Sequence, residues 1–164
     1  MSATDEFLAA NARYAERFDK GDTPMPPAKQ VAVVACMDAR IETGRLLGLE
    51  EGDAHVIRNA GGVVTDDVIR SLAISQRLLG TREIVLIHHT DCGMLTFKDD
   101  AVKAEIEADT GLRPPFALEA FADPAEDVKQ SMRRIANSPF VPHKDAVRGF
   151  VYHVESGKLE EVHA

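Results

Sequence analysis

The sequence predicts an α/β fold in three layers: a central, mostly parallel β-sheet with an antiparallel edge strand, flanking helices and an N-terminal helical arm. Three observations carry this expectation. The run at 30–35 is β-branched and apolar, as expected of a strand buried on both faces, and further short strands are expected at 54–58 and 83–88. Helical patterns alternate with them over short connections, which calls for right-handed crossovers between parallel strands. Near the end, an alternating stretch at 147–154 is followed by the turn Glu155-Ser156-Gly157-Lys158 and a short strand at 159–162, as expected at one edge of the sheet.

In chain order, residues 4–19 read as a helix capped by Thr4, with Phe7, Leu8, Ala15 and Phe18 at helical spacing. The segment 21–27 (GDTPMPP) breaks it, leaving residues 1–28 as an arm expected to pack on a partner subunit. The first strand (QVAVVA) then runs into Cys36, and helical patterns follow at 41–48 and 65–79. The second of these has Thr65 as cap, Asp66 and Asp67 in its positive first turn, and Gly80 at its end. Two more helices are expected at 99–109 and 124–136, separated by a surface loop. With no linker or repeat, the chain reads as a single domain, 1–164, of a size that suits one core.

The net charge of −8, with no block of Lys or Arg, argues against nucleic acid and anionic membranes as partners, because both bind through cationic patches. A small-molecule substrate in a locally shaped pocket is compatible with it. Apolar runs such as VAVVA are too short to span a bilayer, and the N-terminal segment lacks the pattern of a targeting peptide. A cytoplasmic location is expected, with both cysteines reduced.

The chemistry-bearing residues fall at strand ends. The first strand leads into Cys36-Met37-Asp38-Ala39-Arg40, and the third into His88-His89-Thr90-Asp91-Cys92-Gly93. Ligands of open parallel sheets bind beyond the carboxyl ends of the strands, so adjacent strands would bring these motifs together. Two thiolates and one imidazole suit zinc, and three protein ligands leave the open position of a catalytic site. Successive strand residues face opposite ways, so only one of His88 and His89 can join Cys92. His89 has the spacing for it, and His88 is expected to pack on a helix or donate a second hydrogen bond. Asp38 can accept a hydrogen bond from water on the metal or occupy the fourth position itself, and Arg40 can hold that carboxylate with its planar fork. His55, His143, His153 and His163 have no nearby ligand partners. Either cysteine alone would read as buried core. No second Cys pair closes a structural four-ligand site, and no Cys-x-x-Cys redox pair exists.

Cys36-x-Asp38-x-Arg40, Arg58-Asn59-Ala60-Gly61 and His89-x-x-Cys92-Gly93, in this order, make the chain resemble the β-class carbonic anhydrases, and its length, the MPP segment and the stretch 66–84 are most similar to the compact mycobacterial-type members. The resemblance implies one zinc per chain on Cys36, His89 and Cys92, a catalytic dyad of Asp38 and Arg40, and a substrate pocket lined by Asn59, Ala60, Gly61 and Gly93. It implies reversible hydration of carbon dioxide to bicarbonate and a proton, a closed state with Asp38 as fourth ligand, and a homodimer or a dimer of dimers. Two plant-type features are missing: Pro27 stands where those members have a glutamine, and Met94 replaces the second glycine of Cys-Gly-Gly. An apolar pocket around Met94, Leu95 and Val63 would suit a hydrolase of carbonyl sulfide or carbon disulfide, the first alternative. A non-catalytic zinc-dependent scaffold is the second.

Overall fold

A computed structural model describes residues 2–163. Five strands, β1 (Val31–Cys36), β2 (Ala54–Asn59), β3 (Glu83–His89), β4 (Val147–His153) and β5 (Lys158–Val162), form one sheet in the order β2-β1-β3-β4-β5. β1 to β4 are mutually parallel and β5 returns antiparallel to β4, so the expected architecture is the one observed. The helices are α1 (Ala3–Ala15), α2 (Thr43–Leu47), α3 (Asp66–Leu79), α4 (Asp99–Thr110) and α5 (Pro124–Asn137).

Alternation along the strands divides the core between two faces. Ala32 and Val34 of β1 and Ile84 and Leu86 of β3 pack against Val68 and Leu72 of α3 and Ile135 of α5. Val33, Ala35 and Ile87 face the other way, against Leu46, Leu47 and Leu49 and against Tyr152 and Leu159. Because β1 and β3 are buried on both faces, their sequences are continuous apolar runs, and the register Ala35↔Ile87 brings their carboxyl ends level.

The helix caps explain most element boundaries. Thr65 accepts from the Val68 amide and Gly80 closes α3 in the left-handed conformation, as the sequence predicts. For α1 the expectation is corrected. Ser2, not Thr4, is the cap, because Ser2 and Asp5 exchange side-chain and backbone hydrogen bonds in a capping box. The helix also stops at Ala15, where Arg17 and Phe18 donate to carbonyls only three residues back and tighten the chain out of the α-helix. None of the residues of α1 is buried, and its Tyr14 hydroxyl donates to the Glu51 carboxylate. Among the described residues no helix is long and apolar enough to cross a membrane.

The loop between α4 and α5 covers part of the sheet's carboxyl edge and is tied down by one side chain. The Asp99 carboxylate accepts from the amides of Leu118, Glu119 and Ala120 at 2.8, 3.1 and 2.9 Å. The Ala120 amide and its two neighbours hold the Asp99 carboxyl below its ordinary range, against the opposing effect of partial burial. A lowered folded pKa means that the charged form stabilises the fold above the unfolded value of 3.8, and that this is lost as pH falls through the folded value. Asp99→Asn, which mimics the protonated acid, should therefore cost about 1 kcal/mol at neutral pH, a fall of about 3 °C in Tm. Melting curves of the two proteins should converge as the pH drops below 3.8. A constant gap at all pH values would contradict this role for the Asp99 charge.

Candidate metal centre

β1 connects to β2 on one side, and the chain then crosses back to β3 on the other. The carboxyl ends of β1 and β3 therefore flank the topological switch point, the crevice where open α/β sheets bind ligands. Cys36 is the last residue of β1, His89 is the last of β3, and Cys92 follows one tight turn later. All three are buried, and their Sγ, imidazole nitrogen and Sγ atoms lie within 4.8 Å of one another.

The side chains fit a metal ion. The His89 ring donates from Nδ1 to the Thr90 carbonyl at 2.8 Å, which leaves the Nε2 lone pair available. Nε2 is buried and has no hydrogen-bond partner among the described residues, a costly state for a polar atom unless an ion engages it. The Cys36 sulfur accepts from the amides of Asp38 and Gly61, and the Cys92 sulfur from that of Met94, and each of these bonds favours the anionic form of the sulfur that accepts it. Hydrogen bonding from Cys92 lowers the pKa of Cys36, and the same contact, aided by burial, raises that of Cys92. Two soft sulfurs and a borderline nitrogen match zinc among the common biological ions.

Asp38 and Arg40 meet as the sequence predicts. Arg40 donates from Nε to Asp38 Oδ1 at 2.9 Å and from Nη2 to Oδ2 at 2.8 Å, while its backbone amide reaches Oδ1 at 2.8 Å. The guanidinium bonds, outweighing burial, hold the Asp38 carboxyl well below the usual carboxylate range, so it is an obligate acceptor at neutral pH. Its Oδ2 is 3.7 Å from His89 Nε2, close enough to act on a small molecule beside the three donors.

The pocket residues named by resemblance gather around the same crevice. Asn59 ends β2, and its Nδ2 donates to the Val63 carbonyl at 2.8 Å, which folds residues 59–63 into a turn beside Cys36. Ala60 and Gly61 form that 3₁₀ turn, and a Cβ on Gly61 would stand 3.0 Å from Met94 Cγ, Phe121 Cε1 and Val63 Cγ2. Gly93 begins a second 3₁₀ turn and is exposed, with nothing among the described residues within 4 Å of where a Cβ would be. His88 points to the opposite face from His89, where Nε2 bonds Asp127 of α5 at 2.7 Å and the ring lies against Phe121.

Two residues that sequence reasoning left out of the site hold it together. Arg58 donates from Nε to the Cys36 carbonyl at 3.0 Å and from Nη2 to the Asp38 carbonyl at 2.8 Å, pinning the loop after β1. Asp91 accepts from the Arg40 guanidinium through both its side chain and its carbonyl, at 2.7 and 2.9 Å. Arg58 opens the Arg-Asn-Ala-Gly motif, which was a usable signal. Asp91 had only its place between His89 and Cys92.

The family model described as carbonic anhydrase matches residues 31–114. "Beta-carbonic anhydrase 1" of Mycobacterium tuberculosis is 62% identical over 162 residues, covering 99% of each chain. A "Carbon disulfide hydrolase" of an Acidianus species is 34% identical over 90% of this chain and 83% of that protein. Among solved structures, the carbonic anhydrase of Streptococcus mutans superimposes with a TM-score of 0.92 at 41% identity, covering 99% of each chain.

If Cys36, His89 and Cys92 hold one ion together, each is needed. The purified chain should carry about one zinc, and Cys36→Ser, His89→Ala and Cys92→Ser should each fall below about a tenth of that after dialysis against a chelator. Elemental analysis checks this. Full zinc retention by any of the three variants would exclude that residue from the ligand set.

Proposed function

The chain belongs to the β-class carbonic anhydrase family, and from that membership we propose that it reversibly hydrates carbon dioxide to bicarbonate and a proton, with zinc held by Cys36, His89 and Cys92. One observation carries the reading. Two sulfurs and an unpartnered imidazole nitrogen converge beside a carboxylate that is locked in its ionised form. Zinc at this site would lower the pKa of a coordinated water to about 7.

The chain's own residues supply orientation and selectivity. Asp38, kept ionised and in place by Arg40, accepts a hydrogen bond from the attacking water and so aims an oxygen lone pair at the substrate carbon. Exposed and without a side chain, Gly93 lets the substrate approach its backbone closely. The 59–63 turn, closed by the Asn59 amide, forms the opposite wall with Ala60 and Gly61. If Asp38 turned from Arg40 toward the metal it would occupy the fourth position, and the Arg40 bonds oppose that movement. A charged, clamped pair at an open coordination position has no use in a non-catalytic scaffold, which argues against that reading. Thiol ligands of this kind suit the reducing cytoplasm.

One feature favours a second reading. Met94, Phe121 and Val63 crowd Gly61 with apolar atoms, as a pocket for a sulfur-containing analogue would. Hydrolysis of carbonyl sulfide or carbon disulfide on the same centre is therefore the alternative. Stopped-flow hydration of carbon dioxide, run beside hydrogen sulfide release from the other two compounds, separates them. Carbon dioxide should be turned over fastest. Asp38→Asn should keep its zinc yet lose on the order of a hundredfold or more in kcat. Hydration by this variant at the wild-type rate would remove Asp38 from the mechanism, and faster sulfide release than hydration by the wild type would install the alternative.

The assembly we propose is a homodimer, alone or paired into a dimer of dimers, with the arm of one subunit on the other. Phe7 and Leu8 are 68% and 65% exposed on a helix that contributes nothing to its own core. Deleting residues 1–28 should convert the protein to a monomer in light scattering. An unchanged mass would place the interface elsewhere.

A further inference from the structure

Asp91 lies in the turn between His89 and Cys92 and belongs neither to the proposed ligands nor to the Asp38–Arg40 pair. Its Oδ2 accepts from Arg40 Nη1 at 2.7 Å, and its carbonyl accepts from Arg40 Nη2 at 2.9 Å. The other edge of the same guanidinium, Nε and Nη2, faces the two oxygens of Asp38. A planar fork held along one edge can still swing on its long side chain, whereas one held along two edges cannot.

Stability does not account for this arrangement. The side chains of Arg40 and Asp91 are 48% and 78% exposed, and ion pairs at such positions add little to folding. Asp91 also adopts φ +53°, a left-handed conformation that is uncommon outside glycine and that aspartate tolerates better than most residues. A residue in an exposed turn, making two bonds to one guanidinium, is better explained by what that guanidinium holds. We infer that Asp91 is a positioning residue: it anchors the edge of Arg40 that Asp38 leaves free, and so fixes the Asp38 carboxylate for the reaction. It also ties the loop after β1, which carries Asp38 and Arg40, to the turn carrying His89 and Cys92. The inference rests on the proposed role of Asp38.

Two variants separate positioning from mere turn formation. Asp91→Gly removes the carboxylate while easing the left-handed backbone, so the turn and the carbonyl bond to Arg40 can persist. Asp91→Asn keeps an acceptor at the same place without the charge. In the zinc-loaded protein, Asp91→Gly should lower kcat for carbon dioxide about tenfold, with KM within about twofold and with zinc content and Tm near wild type. Asp91→Asn should recover much of the loss. Independently of turnover, nitrogen-15 NMR of the same proteins should show the Arg40 Nε–H exchanging with water about tenfold faster in Asp91→Gly and at an intermediate rate in Asp91→Asn. If the wild type failed to hydrate carbon dioxide, the functional reading would fall while the NMR comparison still tested the anchor. The inference is overturned if Asp91→Gly keeps wild-type kcat per zinc, or if Arg40 exchange is unchanged. Loss of zinc or of Tm with normal kcat per zinc would show a turn scaffold only, and would overturn it equally.

Discussion

Where β1 and β3 end, the backbone of Gly62 lies directly on them. A Cβ at Gly62 would stand 2.8 Å from the Cys36 amide nitrogen and 2.9 Å from the Ile87 carbonyl oxygen, and the residue sits at φ +70°. No other residue type meets both conditions, since an added methyl would push against backbone that has no room to yield. This contact between one turn and two strand ends sets the geometry of the crevice. It keeps the turn from β2 level with Cys36, brings the Gly61 amide to the Cys36 sulfur, and holds Met94 and Phe121 over the same point. The parallel register of β1 and β3 supplies the rest, because it makes Cys36 and His89 the terminal residues of neighbouring strands.

Polar groups around this point are arranged in tiers, each holding the next. The Cys36 and Asp38 carbonyls are pinned by Arg58, the Asp38 carboxylate by Arg40, and the His89 ring by the Thr90 carbonyl. Thr90 is tied in turn to the β4–β5 hairpin, where its hydroxyl donates to Glu155 and accepts from the Val154 amide. The protein's acidic net charge has little bearing on the site, because the local balance is set by two arginines facing carboxylates and carbonyls. The two adjacent histidines show how strictly strand geometry assigns roles: one residue's shift separates a nitrogen free for a metal from one committed to Asp127 on the far side of the sheet.

Much of this was legible in the sequence because local pattern and global fold agree. Continuous apolar runs marked the doubly buried strands, Thr65 and Gly80 bounded α3, and motifs directly after two such runs had to lie at one edge of the sheet. Boundaries moved where a cap depended on a reciprocal side-chain bond, as at Ser2 and Asp5, or on a glutamate, as where Glu42 caps α2 by accepting from the Gly44 and Arg45 amides. The contributions of Asp91 and Asp99 were not legible for a different reason. Each acts on a group distant in sequence, or through a backbone carbonyl or amide that every residue possesses, so no residue type or spacing announces it. Asp127 belongs with them, because its partner His88 lies on another element and carries no sign of which helix will face it.

Cys36 and His89 are contributed by strands separated by the whole of α2, β2 and α3. An ion gripping both would be a chemical cross-link across that long stretch of chain, added to the hydrogen bonds already joining the two strands. Cross-links of this kind act mainly on the unfolded ensemble, by denying it the freedom of a long open loop. Metal affinity and resistance to unfolding then become one thermodynamic quantity viewed from two sides. A change deep in the β1–β3 ladder would weaken the grip on the ion, and starving the protein of the ion would loosen the sheet.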